Sequence, residues 1–512
     1  MAVDSPLAGG RGAGPATRAT DAAGGRDDPA VRRKMERLLA GERPRVLDLF
    51  SGCGGISLGF HRKGCHIVGN VEADPDAAKS HALNFHGGDP EALALHGRAR
   101  DITLTEPADL AGELGLGPVA DAVDIVIGGP PCQAYARVGR AKLRHVSDDP
   151  DAFRTDARRS LYLRYLHYVE AFRPVALLME NVPDILNQDG HNVVEEMVGT
   201  LRGMGYDARY TLLNAAFHGV PQARERLFMV AYRSEVSARI RFPRATRHFD
   251  LPPGYASARG HALKGVTGGR GPSYVEPDLG GPHLPRPVSA EEAIGDMPKV
   301  LSAEIRPGPK RFGEGSFLPY PTDAVLSPYA RMMREWPGFE APVGLVDHAI
   351  RHLPRDGWVF ARMPEGAEYP EAHALALGRF QRAAARKGLH PRSDAYAALK
   401  ASMVPPYDPR KFPNKWWKLR RAAPVRTLMA HLGRDCYSHI HYDPAQARTI
   451  SVREAARLQS FPDGWRFAGT MNPAFRQIGN AVPPLVAAAI AGTMRETLRE
   501  ALAGRDVAPL AA

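Results

Sequence analysis

Cys132 is the residue whose placement most invites chemistry. It follows Pro130 and Pro131 where an apolar run, VDIVIGG, ends. Two prolines fix the backbone ahead of it, and a thiol carried on a stiff turn is a candidate nucleophile once ionised. A lone cysteine is more often a small buried hydrophobe, so its neighbours have to decide. A second apolar run, VALLME, ends on Glu180, a carboxylate that is costly there unless used or paired. A third, RVLDLF, empties into Ser51-Gly52-Cys53-Gly54-Gly55 and then ISLGFHRKG. Strand, glycine loop and helix in that order let the backbone approach a ligand while the helix start offers free N–H groups. About twenty residues on, Glu72 closes another strand, placed to grip ribose hydroxyls. The spacing is GxGG rather than GxGxxG, with Phe50 and Ser51 in the turn. That suits a nucleoside ligand without a pyrophosphate, such as S-adenosylmethionine; the competing reading is a plain structural turn. Asp101, in ARDI, is a third-strand candidate for an adenine amino group, or else a helix N-cap or surface acid.

The elements that must position these residues alternate. Strands are expected at 45–50, 67–72, 123–128, 175–180 and 227–232, several of them apolar on both faces, with helical stretches between. That is the signature of a parallel sheet wrapped by helices, an α/β, Rossmann-like fold. Residues 1–29 read as a flexible tail, and 44–234 as the sheet domain. From 235 to 445 prolines, glycines and arginines crowd in and periodicity fades, apart from a helical patch near 371–388. This stretch reads as a smaller, loop-rich domain inserted into the first. Regular pattern returns with helices at 452–460 and 485–501, and no repeat of 20–50 residues is present.

Composition narrows the class. Of 512 residues 44% are hydrophobic and 24% charged, too apolar for a wholly disordered chain. No run approaches the roughly 20 apolar residues that span a bilayer, and 1–29 has no apolar core of the signal-peptide kind. Four cysteines (Cys53, Cys65, Cys132, Cys436) without a CxxC pair argue against a disulfide framework or a zinc site, and no metal is expected. The net charge is +11, and between Glu235 and Asp443 stand 31 Lys+Arg against 21 Asp+Glu, so one segment carries nearly all the surplus. A concentrated positive field is a footprint for phosphate backbones, or simply a solubilising surface.

GPPCQ, MENV, GVPQARERLF and QIGNAVPP, in that order after DLFSGCGG, resemble the DNA (cytosine-5)-methyltransferases. The resemblance covers about 44–234 and 446–500. The segment between lies where that family carries its target-recognition domain. It implies an enzyme moving a methyl group from S-adenosylmethionine to C5 of a flipped-out cytosine in a short double-stranded DNA sequence. Cys132 becomes the nucleophile at C6, Glu180 the partner of N3, and Arg224 the residue holding the base near O2. Period two puts Arg224 and Arg226 on one face of a strand entry; Arg226 is given a structural or backbone role, and with Gln222 counts among the DNA contacts. Residues 133–149 become a closing lid, with Gln133, Arg137, Arg140, Lys142 and Arg144 meeting DNA. The cofactor would be held by Phe50, Ser51, Gly52, Gly54, Gly55, Glu72, Asp101 and Pro130, and the pocket completed by Asn480 and Val482 in a loop before the last helix. Residues 453–462 would support the recognition domain.

Ala136 and Asp184 depart from the family's usual Ser and Gly, which bears on lid geometry rather than on a catalytic group. His348, Arg351, Trp416 and Arg420 carry no assignable role. The resemblance further implies a monomer in a bacterial cytoplasm, at the nucleoid and off the membrane. Its setting would be restriction–modification or phage defence, with a cognate endonuclease or defence proteins as partners. Two alternatives stand beside this. A tRNA cytosine-5 methyltransferase would carry a short insertion and a Cys-Phe-Thr tripeptide, and neither is found. A catalytically silent DNA-binding protein is opposed by the intact Cys132 and Glu180.

Overall fold

The computed structural model describes residues 28–131, 160–188, 190–267, 271–305, 317–433 and 437–504. Its centre is a six-stranded sheet. The strands are β1 (Arg45–Leu49), β2 (His66–Val71), β3 (Ile125–Gly128), β4 (Ala176–Asn181), β5 (Tyr206–Asn214) and β7 (Glu225–Arg233); β6 (Gln222–Ala223) stands apart in a two-stranded pair. The order across the sheet is β2-β1-β3-β4-β7-β5. β2, β1, β3 and β4 pair in parallel, joined by helical crossovers.

The expected all-parallel sheet needs one correction: β7 runs antiparallel to both β4 and β5. A parallel return needs a crossover of a dozen or more residues. Only residues 215–224 join β5 to β7, so the chain must turn back on itself. β5 escaped the sequence reading because it does not look like its neighbours. Tyr206, Ala208 and Tyr210 are buried while Asp207 and Arg209 are exposed, the alternation of a strand covered on one face rather than two.

The sheet is packed on both sides. Leu47, Leu49, Val126, Leu177 and Met179 face one apolar layer. Val46, Ile125, Ile127, Ala176 and Leu178 face the other, built on helix Gly55–Arg62 and the final helix Pro484–Ala503. The final helix buries Val486, Ala487, Ile490, Ala491, Met494, Leu498 and Leu502, a stripe at helical spacing. It lies so close to helix Gly55–Arg62 that a Cβ added at Gly59 would stand 2.4 Å from the Ala487 Cβ. The chain's last helix is thus pressed against the helix its glycine loop begins.

Outside the expected boundaries, Pro29–Leu39 is a helix capped by Asp28, with Val31 and Met35 in the second core layer. Within 235–445 the described chain forms short helices and turns, and the periodic patch becomes helix Tyr369–Arg386. Part of this segment covers the sheet's free edge: Val275 donates to the Tyr210 carbonyl at 2.8 Å, which removes an unpaired row of backbone groups. Helix Val452–Leu458 is buried along its whole length. Its Arg457 pairs with Asp463 and Asp296, and Arg453 donates to the Val346 carbonyl at 3.2 Å, so it bolts the two segments together. Among the described residues no helix is long and apolar enough to cross a membrane.

Candidate active site

The chain leaves β1, turns to β2 on one side, and crosses to β3 on the other. Open α/β sheets bind ligands at such a switch point, beyond the carboxyl ends of the strands. Here a cavity of about 570 Å³ opens, within the range of small-molecule sites. Phe50 follows β1 directly at φ 57°, and Gly52 and Gly54 come next at φ 53° and 93°. Three left-handed residues in five make the sharp turn that lifts this loop over the cavity, and only the glycines adopt them without strain. Gly55 is required for another reason: a Cβ there would stand 2.3 Å from the Val482 carbonyl oxygen. The C-terminal loop and the glycine loop are in backbone contact, and together they wall one end.

Of the predicted cofactor residues, Phe50, Ser51, Gly52, Gly55, Glu72, Asp101, Pro130, Asn480 and Val482 all line this one cavity. Gly54 does not. It faces the other way, toward His81, Phe85 and Trp465. Glu72 accepts from the Gly52 amide and from the Asp74 amide, each at 2.8 Å. Burial raises its pKa and those two amides pull it back. Asp101, a third-strand candidate or else an N-cap or surface acid, belongs to no strand; it is exposed, opens a turn, and its carboxylate accepts from the Thr103 amide at 2.8 Å. QIGNAVPP, read as a loop before a helix, is partly helix: Met471–Asn480 takes in Gln477–Asn480, leaving Ala481–Pro483 as the link. Beneath the loop Asp48 is fully buried, accepts from the Ser57 hydroxyl at 2.6 Å, and is pushed up to about 7 by burial.

The other end of the cavity carries Glu180, Arg224 and Arg226. Arg226 Nε lies 3.1 Å from Glu180 Oε1. Burial raises the Glu180 pKa, while Arg226 and Arg224 pull it down. Next to it, Asn181 Nδ2 donates to the Pro130 carbonyl at 2.9 Å, tying the end of β4 to the turn after β3. That turn leads directly to Cys132. Cys132, Gln133, Arg137, Arg140, Lys142 and Arg144, with Ala136, lie outside the described residues.

The QARER strand entry divides differently from the sequence reading. Arg226, given a structural role there, is the arginine in contact with Glu180. Arg224 is buried and donates Nη1 to the Leu428 carbonyl at 2.9 Å. Its burial lowers its pKa, though a guanidinium remains charged at neutral pH. Gln222, expected among the DNA contacts, is fully enclosed; its Oε1 accepts from the Leu428 amide at 2.9 Å and it lines no part of the cavity. A turn between two segments needs its main chain held, and these two side chains hold it.

Sequence reasoning also missed cavity residues. Leu428, Met429 and Ala430 come from the proline-rich segment, and Met429 keeps 45% exposure at the mouth. Arg476 spans to Asp74 at 2.6 Å beside the glycine loop. No motif or periodicity marks any of them. Of the four unassigned residues, His348 and Trp416 prove to be buried. Arg351 donates weakly to Asn472 at 3.4 Å, and the Arg420 guanidinium lies against Gly366.

A glycine loop and a buried carboxylate–arginine pair thus share one cavity at the switch point of an α/β sheet. Residues 44–273 and 386–496 match the family of C-5 cytosine-specific DNA methylases, and the chain belongs to that family. It is 36% identical over 89% of its length to a chain of Oceanobacillus iheyensis named as the type II methyltransferase M.OihORF3336P, covering 96% of that protein. It is 31% identical over 88% of its length to the type II methyltransferase M.AgeI of Thalassovita gelatinovora, covering 99% of it. Among solved structures, a prophage-encoded protein of Escherichia coli described as a DNA modification methyltransferase shares the fold, with TM-score 0.55 and 22% identity over 89% of this chain and 99% of that one.

Proposed function

We propose that the chain methylates C5 of a flipped-out cytosine within a specific double-stranded DNA sequence, using S-adenosylmethionine and a covalent bond from Cys132 to C6. The observation that carries this is the single cavity, with the glycine loop and Glu72 at one end and the Glu180–Arg226 pair at the other.

The donor set fits the cofactor. Glu72 and Asp101 bring carboxylates to its end of the cavity, where Asp74 is already paired with Arg476; carboxylates there suit ribose hydroxyls and a ligand bearing an ammonium and a sulfonium. Bound there, S-adenosylmethionine supplies an electrophilic methyl group. Everything else falls to the chain. The Cys132 thiolate adds to C6, and the displaced electrons make C5 an enamine carbon able to take the methyl. Glu180 in its protonated form donates to N3 and so eases the addition; its raised pKa favours that form. Arg226, in reach of the same carboxyl, is placed to meet the O2 edge, a role the sequence reading gave to Arg224. Loss of the C5 proton then expels the thiolate. Extruding the base costs a few kcal/mol, recovered through contacts with phosphates. Residues 235–445 are the recognition domain in this reading, supported by their surplus of positive charge. The setting is a bacterial restriction–modification or phage-defence system, acting at the nucleoid as a monomer.

Bisulfite sequencing of DNA from a host expressing the protein should reveal one methylated sequence context, lost in Cys132→Ser. A duplex carrying 5-fluorocytosine in that context should trap a covalent protein–DNA band. Wild-type methyl transfer by Cys132→Ser would end the proposal.

A further inference from the structure

We infer that Gln459 is a positioning residue that couples the two ends of the cavity, so that DNA bound at one end tightens cofactor binding at the other. This rests on the assignment of those ends above. Leu428 at the base end and Ala481 at the cofactor end both line the cavity, and between them runs an unbroken line of buried amides. The Leu428 N–H donates to Gln222 Oε1 at 2.9 Å. Gln222 Nε2 donates to Gln459 Oε1. Gln459 Nε2 donates to the Ala481 carbonyl. Gln222, Gln459 and Leu428 are all wholly enclosed.

Three features make this more than packing. Every link points the same way, each amide donating to the next, so the bonds polarise one another and gain from being formed together. Both ends are anchored to main chain, not to adjustable side chains. Arg224 holds the Leu428 carbonyl at 2.9 Å, so both main-chain polar groups of Leu428 are held from the stretch that leads into β7. And the two loops touch a second time, since a Cβ added at Gly479 would stand 2.5 Å from the Met429 carbonyl. A DNA strand entering against Leu428–Ala430 cannot shift that loop without disturbing Gln222, Gln459 and then Ala481. Next to Ala481, the Val482 carbonyl sits against Gly55 of the cofactor loop. Coupling of this kind is reciprocal, and a typical size is about tenfold in affinity.

The test is equilibrium dialysis of the full chain with labelled S-adenosylhomocysteine, with and without saturating unmethylated bacterial genomic DNA. Wild type should hold the ligand about tenfold more tightly with DNA. Gln459→Met, similar in size but without the amide, should bring that factor close to one, and raise KM for the methyl donor more than it lowers kcat. Gln459→Glu keeps the acceptor for Gln222 but has no N–H for Ala481, and should lose the coupling as well; it serves where the methionine variant fails to melt cooperatively. A full DNA effect in the folded variants, or none in wild type that binds the ligand, overturns the inference alone. Wild type that retains no S-adenosylhomocysteine overturns the cofactor assignment and this coupling with it.

Discussion

Arg226 and Glu180 meet at one end of the cavity, Nε to Oε1 at 3.1 Å, from antiparallel strands β7 and β4. The carboxyl is held between opposing influences. Burial favours its protonated form, and the two arginines favour the carboxylate. A group that must donate a proton to a ring nitrogen, and later release it, benefits from being held near the balance.

Methyl transfer by Glu180→Gln is accordingly expected to drop by about 10²–10⁴-fold, with DNA affinity nearly unchanged. The working form is protonated, so wild-type kcat should fall as pH rises through the Glu180 pKa. Arg226→Met removes a cation that lowers that pKa. Its rate should be lower, and its alkaline limb should move to higher pH. Identical alkaline limbs for wild type and Arg226→Met, measured by labelled methyl transfer, would show that Glu180 is not the titrating group.

Two glycines give a paired test of what the glycine loop does. Gly55→Ala drives a Cβ against the Val482 carbonyl at the cofactor end, and Gly59→Ala drives one against Ala487 one turn further along. Each is expected to cost about 1–3 kcal/mol of stability through overpacking. Only Gly55→Ala should also raise KM for the methyl donor severalfold. Calorimetry with steady-state kinetics checks both, and equal effects on KM would contradict the division.

Asp48 should leave a mark on stability against pH. Its folded pKa is raised to about 7 from an ordinary 3.8 by burial. The folded chain therefore binds the proton more tightly, and a penalty grows as pH rises from about 4 and is complete just above 7. Three units correspond to about 4 kcal/mol. Asp48→Asn removes the titration, so its stability relative to wild type should improve from pH 5 to about pH 7 and then level off by pH 8 in urea melts. A constant difference across that range would place the Asp48 charge elsewhere.

DNA affinity should fall steeply with salt, by a slope in log–log form of about −0.9 for each phosphate neutralised. Charge-neutralising substitutions among exposed arginines of residues 235–445 should flatten it. Equal slopes for wild type and such variants, in fluorescence anisotropy over a salt series, would take the phosphate contacts away from that segment.

How much of this was legible in the chain follows from how far each signal reaches. The glycine loop, the apolar strands and the carboxylates ending them are local: each is fixed by a handful of neighbouring residues whose backbone preferences and burial agree. So β1, β2, β3, β4 and β7 were found within a residue or two, and nine of the ten cofactor candidates share one cavity. β5 was missed because its first half alternates, with Asp207 and Arg209 facing outward, instead of running apolar throughout. Its pairing depends on β7, and on the chain from the second segment that covers its edge.

Division of labour among Gln222, Arg224 and Arg226 was beyond any reading of QARER. Alternation puts the two arginines on one face, but which of them meets Glu180 and which grips Leu428 depends on a main chain about two hundred residues away. Sequence alone determined the family, five of the six strands, and the glycine loop and carboxylate that share the cavity, because those are set by local order along the chain. The tertiary structure decided which arginine meets Glu180, that Gln222 and Gln459 bridge two loops, and that Met429 stands exposed beside the cavity. Contacts between distant segments leave no periodicity, because their partners are chosen by packing and not by spacing.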